Sequence, residues 1–185
     1  LTTLHQAYAS TLEQNTIDHW PVEETYALDL LDEFVKERLN HYKQARDFPA
    51  QVGTSQLSAY LNIGILSIRQ CIQALFRQQH GDFVIQSESQ QVWLDELLWR
   101  EFYQHILFDF PQVSKHLPFK SSTQNIPWRD DLIALEQWQQ GKTGIPIVDA
   151  GMRQLLATGW MHNRVRMICA MFLSKNLLID WRKGE

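Results

Sequence analysis

Apolar positions recur along this chain at intervals of three and four residues, the spacing that gathers side chains on one face of an α-helix. From Glu23 the stripe Ala27, Leu28, Leu31, Phe34, Val35, Leu39 and Tyr42 predicts a long helix, with acidic residues early and Lys36, Arg38 and Lys43 late, as the helix dipole favours. Arg46 to Gly53 breaks that pattern with Pro49 and Gly53. Two short helices are predicted next, over Leu57 to Leu66 and over Ser67 to Gln79, with Ser67 as a cap, and then a loop from Gly81 to Ser89. Val92 to Phe110 predicts a long helix rich in large side chains and halted by Pro111. The polar stretch 111 to 131 is longer than a simple helix connection requires, which suggests a function for it. Leu132 to Gln140 predicts a helix closed by Gly141, and Pro146 opens another that carries Met152, Leu155 and Leu156 to Gly159. The last stretch, Gly159 to Trp181, predicts a helix burying Met161, Val165, Ile168, Phe172 and Leu173. The chain has no alternating strand pattern of useful length and no repeat, so the fold class read from it is all-α.

With 185 residues, 44% of them hydrophobic and 21% charged, the chain can bury a core of its own. Residues 1–22 are polar and mixed and read as a connector, leaving 23–185 as one helical domain. The first residue is Leu1 rather than methionine, and Lys183, Gly184 and Glu185 follow directly on a helical pattern, so the chain is expected to be a piece of a longer protein. A net charge of −4 excludes a basic nucleic-acid coat, and any contact with a polyanion must come from a local cluster. Cys71 and Cys169 lie within apolar helical patterns, as inert buried thiols in a reducing compartment would. With no long apolar run and no signal-peptide layout, a cytoplasmic protein without a membrane partner is expected.

Three places carry chemistry. Thr54, Ser55 and Ser58 precede a helix, where one hydroxyl ordinarily serves as the cap; three exceed that need, and hydroxyls beside free amides are what a phosphate group requires. No Gly-x-Gly-x-x-Gly or Walker pattern accompanies them. On the long helix, Trp93, Leu97 and Arg100 adjoin Glu96, Trp99 and Tyr103. Rings at that spacing ordinarily build a core. Glu96 and Arg100, four residues apart, form either a helix-surface pair or the wall of an aromatic cleft. Near the C-terminus Asn163, Arg164, Arg166 and Met167 stand beside an apolar seam, between Trp160 and Trp181. They make either a solvated face or a site for an anionic, aromatic ligand. The seven histidines have no paired spacing, so no metal site is expected, and His162 reads as an ordinary hydrogen-bonded histidine. With Gly-x-Ser-x-Gly absent as well, these residues fit an aromatic, phosphate-bearing ligand better than hydrolysis.

The segments RDFPAQVGTSQLSAYLNIGILSIRQ, VWLDELLWREFYQHI, WQQGKTGIPIVDAGMRQL and GWMHNRVRMICAMFLSKNLLIDWR resemble, in order, the FAD-binding helical domain of the DNA photolyase and cryptochrome family. The likeness is greatest to its bacterial-type cyclobutane pyrimidine dimer photolyases, the deoxyribodipyrimidine photo-lyases, and covers roughly residues 40–185. It implies light-driven repair of pyrimidine dimers by electron transfer from excited reduced FAD to a flipped-out dimer, or alternatively a cryptochrome-like blue-light photoreceptor without repair. Tyr42, Thr54, Ser55, Gln56, Leu57, Ser58, Trp93, Arg100 and Arg166 match positions that bind FAD. Arg46, Glu96, Trp99, Asn163, Arg164 and Met167 match positions that meet the lesion or its flanking phosphates; Glu96 is also a catalytic contact to the dimer. Trp128 and Trp181 match the outer and middle members of an electron-carrying tryptophan chain.

The resemblance also implies dimer-containing DNA as the partner, with no obligate protein partner, and association with the nucleoid when damaged DNA is bound. Gln56 stands where relatives usually carry a basic residue, and Asn176 where most carry an aspartate partner for the arginine at position 166. The family's antenna-pigment domain would lie upstream, and further flavin contacts downstream. The 185-residue chain alone is therefore expected to be inactive and to hold FAD weakly or not at all.

Overall fold

The computed structural model describes residues 20–77 and 82–184. Their regular structure is helical, with no strand among the described residues, and the all-α expectation holds. The chain divides into two compact units, Pro21–Ser114 and Trp20 with Lys115–Glu185. The proposed connector falls largely on residues 1–19, outside the described residues. Trp20 is described, and its indole donates to the Thr158 carbonyl at 2.7 Å.

The first unit opens with α1 (Glu24–Glu33), which runs on through a wider π-helical turn at Phe34–Arg38 and a tighter turn at Leu39–His41 into α2 (Tyr42–Ala45). The predicted seam goes inward: Ala27, Leu31, Phe34, Val35, Leu39 and Tyr42 are buried. The changes of winding keep that seam facing the core through one unbroken run of chain. Two short helices follow, α3 (Ser58–Ile63) and α4 (Ile68–Arg77). The Ser67 hydroxyl accepts from the Gln70 amide at 3.3 Å, as predicted.

The long helix α5 (Glu88–Asp109) packs against α2 and α4. It begins four residues before the predicted start, because the Ser87 side chain accepts from the Gln90 amide and Ser89 and Gln90 are already buried. Polar residues at the helix start hid it from a reading built on apolar spacing.

In the second unit, α6 (Leu132–Gln139), α7 (Pro146–Thr158) and α8 (Asn163–Met171) are followed by a π-helical turn at Phe172–Asn176 and a 3-10 turn at Trp181–Gly184. Gly159 closes α7 with φ 70°, a left-handed conformation that glycine adopts without strain. The core joins Trp138, Val148, Met152, Met161, Val165, Cys169, Leu173 and Ile179. Met161, Val165 and Leu173 are buried as predicted, and Phe172 packs at the margin. Ile168 is exposed, and its neighbour Cys169 takes the core position with its sulfur toward the Val148 carbonyl.

Candidate functional site

The candidate residues of the first unit lie on the loop 46–57 and on α5. The loop crosses close to the end of α2: a Cβ at Gly53 would come within 2.5 Å of the Ala45 side chain and 2.8 Å of its carbonyl oxygen. Only glycine allows that approach. Arg38 steadies the loop from below, donating to the Thr54 carbonyl at 3.0 Å while pairing with Glu33 at 3.5 Å. Gln56 sits in the left-handed region at φ 56°, uncommon for a residue with a Cβ. Leu57, buried, is the residue that flanks α3, and no side chain caps that helix. The capping role weighed for Thr54, Ser55 and Ser58 is therefore not the one they perform. Beyond the loop's end the first-turn amides also lack a side-chain acceptor.

On α5, Trp93 is 2% exposed and its ring lies 5.2 Å from that of Phe34, as a core indole's would. Tyr42 is likewise buried, edge-on to Phe34 at 5.7 Å. One turn on, Glu96 pairs with Arg46 at 2.7 Å, and that guanidinium lies 5.5 Å from the centre of the Tyr42 ring. Arg100 does not pair with Glu96; it donates to the Leu61 carbonyl at 2.9 Å and approaches Glu101 at 3.6 Å. The helix-surface pair weighed from the sequence is thus replaced by a tertiary one, which spacing within a single helix cannot reveal. Trp99 is 53% exposed and meets Phe102 edge-on at 5.5 Å and Tyr103 at 6.1 Å. It offers an open indole face one helical turn from a carboxylate that Arg46 holds in place.

The candidates of the second unit gather at the start of α8. His162 is buried and caps the helix, its Nδ1 accepting from the Arg164 amide at 3.2 Å, which is the ordinary role expected of it. Asn163 and Arg166 are exposed on the first turn, and the Arg164 guanidinium lies 3.7 Å from the sulfur of Met167, itself exposed. A pocket of about 100 Å³ is lined by Trp138, Met152, Met161, Arg166, Cys169 and Trp181, among others. It is mostly apolar with one cationic group. Trp128 and Trp181 are both half-buried.

One residue of this unit went unremarked in the sequence. Asp149, buried on α7, accepts from the Thr143 amide and hydroxyl at 2.7 and 2.6 Å and from the Gly144 amide at 2.9 Å, pinning the Lys142–Ile145 loop. These bonds, the Thr143 hydroxyl first, hold its carboxyl below the usual range. A Thr-Gly pair five residues ahead of an aspartate was the available signal.

Burial pushes the Cys71 thiol up to about 11 and raises that of Cys169, so both stay protonated at neutral pH. Among the described residues no group of three or more His, Cys, Asp or Glu side chains could hold a metal ion. No helix among them is long and apolar enough to cross a membrane.

These placements can be set beside known proteins. A family model described as the FAD binding domain of DNA photolyase matches residues 93–185. The deoxyribodipyrimidine photo-lyase of Escherichia coli is 52% identical over 167 residues, covering 90% of this chain and 35% of that protein. A crystal structure of a bacterial class III photolyase from Agrobacterium tumefaciens superposes with a TM-score of 0.85 at 45% identity, over 92% of this chain and 34% of the other. That of a Synechocystis cryptochrome gives 0.73 at 33% identity, over 87% and 33%. The chain therefore spans about a third of the length of these relatives. A matching family model over half the chain, curated relatives sharing half its residues and the same helical fold together show that it belongs to the DNA photolyase family, as part of the FAD-binding domain.

Proposed function

We propose that this chain is the helical, flavin- and lesion-binding part of a light-driven lyase that splits cyclobutane pyrimidine dimers in DNA. The observation that carries this reading is the pairing on α5 of a half-exposed indole, Trp99, with the carboxylate of Glu96, which Arg46 holds at 2.7 Å. A flipped-out dimer needs a flat apolar surface to replace its lost stacking and an acceptor for its base edge. Trp99 supplies the first and Glu96 the second. Asn163, Arg164 and Met167, at the start of α8, would meet the lesion and its flanking phosphates.

The loop 54–58 suits the phosphates and ribityl chain of FAD, since its hydroxyls leave the first turn of α3 uncapped and its amides need acceptors. Arg100 and Arg166 would contribute positive charge, while Tyr42 and Trp93 act from within the core by fixing the wall behind. When bound, FAD would supply the photochemical electron. The chain's own residues hold the two ligands, exclude water and, through Trp128 and Trp181, provide a route for an electron from the surface to the flavin. Dimer-containing DNA is then the partner, in the cytoplasm and on the nucleoid. An antenna pigment would belong to parts of the longer protein outside this chain.

Illuminating the full-length protein with a dimer-containing oligonucleotide should remove dimers, and Trp99→Ala should weaken dimer binding by about 1–3 kcal/mol. Unchanged binding in that variant would overturn the lesion-site reading. The second reading, a blue-light photoreceptor without repair, is favoured by the likeness to the Synechocystis cryptochrome. It predicts a light-dependent change in flavin absorption with no loss of dimers. For the 185-residue chain alone, weak or absent FAD binding is expected, and a stoichiometric flavin spectrum in the purified chain would contradict this.

A further inference from the structure

Trp181 is followed by an arginine that is held on top of it. The Arg182 guanidinium carbon lies 4.9 Å from the centre of the Trp181 ring. It is fixed there from two sides: Nε donates to the His116 carbonyl at 2.6 Å, and Nη1 pairs with Asp180 at 2.9 Å, whose other oxygen accepts from the Arg182 amide. The stem is only a quarter exposed. A guanidinium with two fixed hydrogen-bond partners is not a freely solvated charge.

A cation over an indole face stabilises the neutral ring through its quadrupole and opposes the same ring once it has lost an electron. We propose that Arg182 is a positioning and tuning residue of the tryptophan pair: it disfavours positive charge on Trp181 and so drives that charge outward to Trp128. This rests on the reading of Trp181 and Trp128 as an electron route serving a flavin oxidant. Loss of one electron from Trp181 leaves a radical cation on its indole. An electron from Trp128 then fills it, so that Trp181 is again neutral, Trp128 carries the radical cation, and electrons and charge balance across the pair. Asp180 offsets part of the guanidinium charge; the two residues therefore act on the balance in opposite senses.

The test uses the full-length flavin-loaded protein, with flash photolysis for the yield of tryptophan radical and pulsed EPR to separate the two radicals by their distance from the flavin. Arg182→Gln should lower the ratio of Trp128-centred to Trp181-centred radical by about tenfold, the size expected of a partly screened charge at this distance. Asp180→Asn, which keeps an oxygen for the Arg182 amide, should raise it. A structural disturbance would move both variants the same way. An unchanged ratio in both variants, or a shift in the same direction in both, overturns the proposal. Trp181→Phe serves as the separate control: if radical formation survives that change undiminished, the electron-route reading itself has failed.

Discussion

Asp149 shows how a single carboxylate can organise a segment that has no regular structure. Four backbone positions, Lys142 to Ile145, turn sharply before α7; the Lys142 amide reaches the Gln137 carbonyl and the Ile145 amide the Thr143 hydroxyl, which leaves the Thr143 and Gly144 amides. The carboxylate takes both of these and the Thr143 hydroxyl. Because these bonds depress its folded-state value below the ordinary 3.8, the stability it contributes is present above that pH and is lost as pH falls through the folded value. Urea unfolding followed from pH 6 down to about pH 2 should therefore steepen its loss of stability below about pH 4. In Asp149→Asn that acid limb should be shallower, with lower stability at neutral pH. Glu96 follows a different logic. Its pairing with Arg46 is a polar contact at a partly exposed surface and adds little stability; under the proposed function it would serve to aim a carboxylate beside Trp99.

At the scale of elements, apolar periodicity located the α-helices among the described residues but not every boundary, and it passed over the short 3-10 turns at Val113–Lys115 and Ser121–Thr123. The seam from Ala27 to Tyr42 was legible because burial follows the same three- and four-residue spacing that defines it. The start of α5 was not, since Ser87, Ser89 and Gln90 act through hydrogen bonds: Ser89 donates to the Asn40 carbonyl and accepts from the Lys43 amide. Ile168 misled for a related reason. A seam read from hydrophobicity alone counts a large aliphatic ahead of a thiol, whereas α8 turns Cys169 inward. The partner of Glu96 lies on another element altogether, and tertiary pairs of that kind leave no periodic trace. Removing the α5 cap should cost what such caps usually do: Ser87→Ala is expected to lower stability by about 0.5–2 kcal/mol, measured as a shift in the urea midpoint with an unchanged slope.

Taken whole, the molecule carries one buried thiol in each compact unit, Cys71 in the first and Cys169 in the second. Both are shielded and protonated, so a thiol reagent at neutral pH should leave the native chain unlabelled and react with both cysteines once urea opens it. Cys71→Ser would leave a reporter for the second unit alone, and labelling against urea concentration would then give that unit's own unfolding curve. Family membership was legible at this scale because four long segments carry it, and the roles of individual residues less so. Trp93, for instance, reads first as a core ring from its spacing, and its burial fits a core and a pocket wall alike.

The bonds that fasten the stretch around Trp128 have a kinetic corollary. Arg129 donates its amide to the Leu178 carbonyl, Lys183 reaches Asp130, and Arg182 reaches His116, so residues 116–130 are stitched at three points to 178–183. Neither strip can lift off while the other stays down. Their slowest-exchanging amide protons should consequently swap for deuterium at a common rate, and a protease able to cut one strip should find the other unzipped in the same event.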